Sequence, residues 1–301
     1  MERRMTVVGP RQRILALVTA QPRIPRSGAA WIAGYLILLA ICVLPIRSQG
    51  LPPNATKIRV YVLDGGTIVG RNLSRYNLPE EMRDLSVAVF LVVHPKGTLL
   101  FDSGLGDRYL NKQQAPPDPA YTVTRTIKSQ LSEIGYAPKD ITYLALSHMH
   151  TDHVGNANDY AGSTWLVQRL ERESMFAAID TPNYQNYAAL KDSKTIVLDG
   201  DYDVFGDGSV VLISTPGHTP GHQSLFLKFA TGNTVILAGD LYHYPEERSQ
   251  HRFPNFEPNI EQSALSRGKI ETLIEWTNAQ LWIAHDILNY RKLKKEPGYY
   301  E

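Results

Sequence analysis

The sequence predicts an α/β protein in which strands and amphipathic helices form separate layers. Three observations lead to this fold class. Apolar runs with the length of strands recur along the chain and alternate with segments of helical periodicity. Residues 87–93 and 98–101 predict the two strands of a hairpin that turns at 94–97. Several further apolar runs end at an ionisable side chain, which is typical of strands that present functional groups on the following loop.

The other predicted elements follow in chain order. A first strand is predicted over 57–63 and another over 141–146, with an amphipathic helix over 122–134 between them. The later predicted elements are strands over 210–213, 235–240 and 281–285 and a helix over 270–276. We therefore expect one globular domain over 51–301.

The first fifty residues differ from the rest. Arginines precede an almost wholly apolar run over 29–45, which is the order of a secretory signal peptide. We predict a signal peptide or a membrane anchor over 1–50, with a buried core helix as the alternative. The segment indicates a secreted or periplasmic protein, membrane-anchored if the segment is retained.

Charge is distributed unevenly between these two parts. Residues 1–50 hold seven arginines and one acidic residue, a charge of +6, which leaves −5 for the remainder of a chain whose net charge is +1. A mildly acidic domain predicts no nucleic-acid partner. The one cysteine, Cys42, lies in the apolar run, so the domain needs no disulfide in an oxidising compartment.

The most informative segment packs three histidines and one carboxylate into six positions. It comprises His148, His150, Asp152 and His153, directly after the predicted strand over 141–146. Imidazole and carboxylate together suit zinc and similar divalent metals. A packed core would not tolerate this concentration of polar groups without a metal. The segment therefore predicts a metal site on a loop at a strand end.

Further metal ligands are expected downstream. His218, Asp240 and His285 are each the first ionisable group after an apolar strand-like run. This shared arrangement predicts several strands that deliver ligands to one edge of a sheet. His222 lies four residues after His218, and we expect it to support a ligand rather than bind metal. Asp102 follows the strand over 98–101 and either orients a ligand histidine or forms a turn.

The seven candidate ligands resemble the metal-ligand set of the metallo-β-lactamase-fold hydrolases. They are His148, His150, Asp152, His153, His218, Asp240 and His285. The resemblance covers roughly residues 57–290 and implies that family's αββα sandwich. It also implies two divalent ions, with zinc as the default, although iron, cobalt or manganese suit the same ligands. One ion would bind His148, His150 and His218, and the second Asp152, His153 and His285, with Asp240 bridging both.

Within that superfamily the chain is most similar to the N-acyl-homoserine lactonases. The absence of a cysteine ligand and the presence of Asp240 argue against β-lactamases, and 215–224 looks like the lactonases. The resemblance implies a quorum-quenching enzyme that opens the lactone ring with a hydroxide held between the metals, with Asp152 carrying the proton. Lactonases of this kind place a tyrosine that contacts the lactone three residues after the bridging aspartate. The tyrosines of this chain follow Asp240 by two and four residues, so Tyr242 is the first choice and Tyr244 the reserve.

Several alternatives stay open from the sequence. Organophosphate hydrolases share all seven ligands, so a phosphotriester or another ester or lactone is the rival substrate. A metal-dependent binding or sensing protein without turnover is the alternative outside enzymes. The loops over 105–121 and 242–258 are the candidate walls for substrate. Similarity to the lactonases also leaves a homodimer open, by analogy alone.

Overall fold

The computed structural model describes residues 56–111, 120–177 and 179–301. The predicted signal peptide or anchor over 1–50, and much of the loop over 105–121, lie outside these residues. Within the described residues, no helix combines the length and the apolar character needed to cross a membrane.

Strands and helices alternate through the described residues. The strands are β1 (Arg59–Asn72), β2 (Met82–His94), β3 (Gly97–Phe101), β4 (Ala120–Thr122), β5 (Tyr143–Ala145), β6 (Thr164–Gln168), β7 (Thr195–Leu198), β8 (Tyr202–Asp203), β9 (Val210–Ser214), β10 (Gln223–Lys228), β11 (Thr234–Leu237) and β12 (Gln280–Trp282). The α-helices are α1 (Ile127–Glu133), α2 (Thr151–Val154), α3 (Arg169–Ala177), α4 (Pro245–Ser249), α5 (Ile260–Thr277) and α6 (Ile287–Tyr290).

The strands form two mixed sheets. The first sheet has the order β4-β1-β2-β3-β5-β6-β7, and the second has the order β12-β11-β10-β9-β8. β3, β5, β6 and β7 pair in parallel, so they end at the same edge of the first sheet. In the second sheet β11 and β12 are parallel, and two antiparallel steps through β10 give β9 the same direction as β11.

The two sheets face each other across an apolar core. Phe90 of β2 and Leu225 of β10 belong to this shared core together with Trp282. Successive residues of a strand point to opposite faces, so Leu91 packs into a second core and Phe226 into a third. The second core includes residues of α1 and α3, and the third includes residues of α5. Helices therefore cover both outer faces, and the predicted αββα sandwich is confirmed.

Several element boundaries differ from prediction. β1 continues past the Gly65-Gly66 pair to Asn72, with irregular register between Asp64 and Thr67. The predicted helix over 122–134 begins only after Thr126, whose side chain accepts a hydrogen bond from the Ser129 N–H and caps α1. α5 extends well beyond the predicted 270–276 in the N-terminal direction. In β1 and α5, glycines and polar residues interrupt the apolar pattern without ending the element.

A close backbone contact fixes α2 against the loop that follows β3. The Gly155 N–H donates to the Gly104 carbonyl at 2.8 Å, and the Ser103 N–H donates to the His153 carbonyl at 2.8 Å. A Cβ atom on Gly155 would lie 2.2 Å from the Gly106 nitrogen and 2.4 Å from the Gly104 oxygen. Only glycine leaves room for this approach, which holds the end of α2 against the loop that follows β3.

Replacing Gly155 with alanine should destabilise the protein by about 1–3 kcal/mol, because the backbone of 104–106 must move to accept the methyl group. Gly162→Ala is the matched control, since a Cβ atom there has no neighbour within 4 Å. Urea unfolding of both variants measures the difference. Equal stability of the two variants would show that the close approach carries no constraint.

Candidate metal centre

The structure brings the seven predicted metal ligands together in two groups. In each group the candidate ligand atoms all lie within 4.8 Å of one another. The first group is His148, His150, His218 and Asp240. The second group is Asp152, His153 and His285.

The ends of four strands carry these side chains. His148 and His150 lie on the loop after β5 of the first sheet, and α2 then places Asp152 and His153 one turn further on. His218, Asp240 and His285 follow β9, β11 and β12 of the second sheet. The predicted delivery of His218, Asp240 and His285 to one sheet edge is therefore confirmed, because β9, β11 and β12 run in the same direction in one sheet, and the first sheet supplies the other four ligands. The site lies where the two sheet edges meet.

Asp240 faces both groups with different oxygens. Its Oδ2 lies 3.6 Å from His148 Nε2 and 3.4 Å from His218 Nε2. Its Oδ1 lies 3.1 Å from His153 Nε2 and 3.0 Å from His285 Nε2. A carboxylate with one oxygen turned to each group has the arrangement needed to bridge two ions.

The donor set fits a pair of divalent metals. His153 Nε2 and Asp240 Oδ1 are buried and lie 3.1 Å apart without the alignment of a hydrogen bond, and neither has a hydrogen-bond partner among the described residues. Asp152 Oδ2 lies 3.4 Å from His285 Nε2 and 3.6 Å from His153 Nε2. Buried polar atoms without partners are costly, and imidazole and carboxylate groups are the ligands that zinc and similar ions prefer. These atoms are therefore poised to bind metal.

Hydrogen bonds from outside the group orient three of the histidines. Asp102 Oδ2 lies 2.9 Å from His153 Nδ1, and Glu257 Oε2 lies 3.2 Å from His218 Nδ1. His285 Nδ1 lies 2.7 Å from the Ser86 carbonyl oxygen. Each contact turns the Nε2 atom of that ring toward the ligand group. Of the two roles predicted for Asp102, the structure supports the orientation of a ligand histidine, from a backbone with a positive φ of 64°.

His222 supports Asp240 through the backbone. The Asp240 N–H donates to His222 Nε2 at 3.0 Å, and His222 Nδ1 lies 2.8 Å from Thr215 Oγ1. Burial lowers the pKa of His222 to about 3, so the ring is neutral and can accept this bond. His222 lies outside both groups of candidate ligand atoms. It positions the backbone from which the Asp240 side chain projects.

Burial and charge set the protonation of the cluster. Burial lowers the pKa of His150 to about 4 and lowers that of His148 well below its usual value. Burial alone would raise the pKa of Asp240, but His285, His153 and other imidazoles hold it well below its usual value. Burial alone would lower the pKa of His153, but Asp240 and Asp102 raise it well above its usual value. Metal binding at His153 therefore has to displace a proton.

A cavity of about 250 Å³ opens above the two groups. Its apolar wall includes Ile68, Leu85 and Phe256. The polar lining outside the seven ligands is Arg71, Arg75, Tyr76, Tyr121, Thr151 and His243. Tyr121 and Phe256 belong to the two loops predicted to form substrate walls. The cavity thus combines an apolar surface with the candidate metal ligands.

The structure places neither predicted tyrosine in this cavity. The Tyr242 hydroxyl donates to Glu271 at 3.0 Å and lines a separate cavity of about 1150 Å³ beside α4 and α5. The Tyr244 ring packs edge-on against Tyr76 with centroids 4.9 Å apart. The backbone is extended at both residues, so their side chains point away from the side that His243 occupies.

His243 takes the position expected for a tyrosine. Its Nε2 lies 3.3 Å from Asp240 Oδ2, and its Nδ1 lies 3.3 Å from Glu247 Oε1. Its ring stacks on His285 with centroids 5.7 Å apart. Burial alone would lower the pKa of His243, but the Glu247 and Asp240 carboxylates raise it to about 10. The predicted substrate contact of Tyr242 is therefore not supported by this geometry, and His243 is the residue of this segment that lines the cavity beside Asp240.

The sequence analysis missed the carboxylates that hold the ligand loops. Glu257 contacts His218 across 39 positions, and Glu171 contacts the His218 loop across 48 and 50 positions. Neither residue has a local pattern that separates it from the exposed acidic residues of a helix or loop. His243 stands three residues after Asp240, and this spacing was the signal in the sequence that could have identified it.

Comparison with known proteins agrees with this geometry. The model of the metallo-beta-lactamase superfamily matches residues 82–274. The N-acyl homoserine lactonase AttM of Azorhizobium caulinodans is 28% identical over 273 residues, which cover 82% of this chain and 100% of that protein. An N-acyl homoserine lactonase from Bacillus sp is 30% identical over 231 residues, which cover 73% of this chain and 89% of that protein.

Solved structures show the same similarity. A quorum-quenching N-acyl homoserine lactone hydrolase superposes with a TM-score of 0.70 at 27% identity, over 82% of this chain and 99% of that chain. A second structure is of an N-acyl homoserine lactone hydrolase with the product N-hexanoyl-L-homoserine bound at the catalytic metal centre. It has a TM-score of 0.69 at 25% identity, over 82% of this chain and 100% of that chain. The dizinc quorum-quenching lactonase AidC is similar in fold. Its TM-score is 0.61 at 18% identity, over 81% of this chain and 94% of that chain.

Proposed function

Since this chain belongs to the metallo-beta-lactamase superfamily, we propose that it is a dinuclear metal-dependent hydrolase that opens the ring of N-acyl-homoserine lactones. Such an enzyme removes the lactone signals of bacterial quorum sensing. The observation that carries the dinuclear site is Asp240, with one oxygen turned to each of two imidazole groups. The proposed substrate class rests on the similarity of this chain to N-acyl homoserine lactonases, which extends along nearly the whole length of those relatives.

We propose that the seven candidate ligands bind two metal ions. His148, His150 and His218 would hold one ion, Asp152, His153 and His285 would hold the other, and Asp240 would contribute an oxygen to each. Two bound divalent metals supply the chemistry that lowers the pKa of a water to near neutrality and polarises a carbonyl. Zinc is the proposed metal because neutral imidazoles and carboxylates form its usual ligand set.

The protein residues handle protons and position the substrate. In the proposed reaction the water oxygen adds to the lactone carbonyl carbon, the ring C–O bond breaks, and the ring oxygen gains a proton. Asp152 lines the cavity with Oδ2 turned to His153 and His285. Its other oxygen can accept the water proton and return it to the ring oxygen. Ile68, Leu85 and Phe256 supply an apolar wall for the acyl chain.

Location and assembly remain proposals. Export to the periplasm or the exterior, with residues 1–50 cleaved or kept as an anchor, is supported by the arginine-then-apolar order of that segment. Cell fractionation tests this proposal, and a cytosolic protein that keeps residues 1–50 would contradict it. A homodimer is proposed by analogy alone, and sedimentation of the purified protein tests it.

The zinc-loaded full chain should hydrolyse N-hexanoyl- and N-decanoyl-homoserine lactone with a kcat/KM at least about tenfold above that for a phosphotriester. A chelator should abolish the activity, and added zinc should restore it, because the metals supply the electrophilic chemistry.

Asp152→Asn should lower kcat about 10²–10⁴-fold through loss of the proton carrier.

Asp159→Asn is the matched control for Asp152→Asn, since Asp159 is exposed and pairs with Lys128 at 3.0 Å on the surface. It should leave the lactone rate unchanged. Rapid phosphotriester cleavage with negligible lactone opening would overturn the lactonase proposal and leave the dinuclear site standing. Absence of both activities in a protein with two bound metals would overturn the proposal of a hydrolase.

Tyr242→Phe should keep kcat/KM within about twofold of wild type, because its hydroxyl contacts Glu271 outside the metal cavity. His243→Phe should lower kcat/KM at least about tenfold, or about 1.4 kcal/mol, because it removes the donor that faces Asp240 and the cavity. Steady-state kinetics at matched metal content separates the two variants. An equal or greater loss in Tyr242→Phe would restore the tyrosine as the substrate contact.

A further inference from the structure

A buried carboxylate outside the metal cluster joins the two loops that carry the first ligand group. Glu171 lies in the first turn of α3 and is 2% exposed. It lines none of the cavities described above and is assigned no part in the proposed reaction. A carboxylate is rarely buried without partners that satisfy it.

The two oxygens of Glu171 contact different loops. Oε1 accepts the N–H of Met149 at 2.7 Å, between His148 and His150. Oε2 accepts the hydroxyl of Thr219 at 2.7 Å and the N–H of Gly221 at 2.9 Å, directly after His218. Hydrogen bonds to an ionised carboxylate are among the stronger ones in proteins. Glu171 thus ties the His148–His150 loop of one sheet to the His218 loop of the other.

Close packing supports the same connection. A Cβ atom on Gly221 would lie 2.4 Å from the Glu171 nitrogen and 2.6 Å from its Cβ. The His218 loop therefore rests directly on the start of α3, at a distance that leaves no space for another side chain. The contact is built from both the carboxylate and the backbone, which argues against a chance hydrogen bond.

A different side chain and a backbone carbonyl hold the second ligand group. Asp102 contacts His153 at 2.9 Å, and the Ser86 carbonyl contacts His285 at 2.7 Å. Among the described residues, the Glu171 carboxylate makes no hydrogen bond or ion pair with either of these histidines or with Asp152. Its hydrogen bonds reach only the loops of His148, His150 and His218. Ser147 Oγ lies 3.0 Å from both His148 Nδ1 and His153 Nδ1 and is held by Asp102, so this link between the groups does not involve Glu171. Loss of Glu171 should therefore disturb chiefly the first ligand group.

We propose that Glu171 is a positioning residue that sets the metal affinity of the His148–His150–His218 group selectively. The proposal rests on the two-metal occupancy proposed above, but it does not depend on the substrate. Glutamine at 171 would keep the shape of the side chain but would replace one accepting oxygen with an NH₂ donor. That donor would face the Thr219 hydroxyl and the Gly221 N–H, or the Met149 N–H, and separate the two loops.

The test measures metal binding instead of lactone turnover. Apoprotein of the full chain is titrated with zinc against a chromophoric chelator for wild type and Glu171→Gln. Glu173→Gln is the matched control, because Glu173 is exposed on the same helix. Thr219→Val removes one of the three bonds and leaves the carboxylate in place. Thermal unfolding of each apoprotein shows whether the fold itself has changed.

One of the two bound zinc ions should bind about 10- to 100-fold more weakly in Glu171→Gln, with a smaller loss in Thr219→Val and none in Glu173→Gln. Anomalous diffraction should find the retained ion beside Asp152, His153 and His285. Equal affinity of Glu171→Gln and Glu173→Gln would overturn the proposal. Equal weakening of both ions, or weakening explained by a lower apoprotein melting temperature, would also overturn it.

Discussion

Asp240 is the group around which the rest of the structure is arranged. Its carboxylate is 5% exposed and lies among the imidazoles of His148, His153, His218 and His285. Burial of an anion costs several kcal/mol unless opposite charge and hydrogen bonds surround it. The neighbouring imidazoles hold its pKa well below the usual value despite burial. Two divalent ions would complete this charge balance, with one oxygen of Asp240 for each.

The αββα sandwich supplies the stiffness that such a cluster requires. The ligand loops leave strands of both sheets, so their positions depend on the apolar core between the sheets. Asp102, Glu171 and Glu257 then fix individual loops and rings. Because these carboxylates lie behind the ligands, the cavity side stays open for substrate and for the metal chemistry.

The sequence predicted much of the fold and the seven residues that gather in the two groups, because both depend on local patterns. The hairpin at 94–97 and the histidine-rich segment at 148–153 each lie within a few positions of the chain. Glu171 and His243 escaped because their roles depend on contacts between distant loops and on the direction of a side chain. Tyr242 illustrates the second limit: an extended backbone turns its hydroxyl to Glu271 and turns His243 to the cavity.

Anomalous diffraction from crystals of the zinc-loaded protein tests the central claim most directly. Two peaks are predicted, one beside His148, His150 and His218 and one beside Asp152, His153 and His285. Each should lie about 2.0–2.2 Å from a different oxygen of Asp240. A single peak, or two peaks of which only one contacts Asp240, would contradict the bridging carboxylate and the dinuclear site built on it.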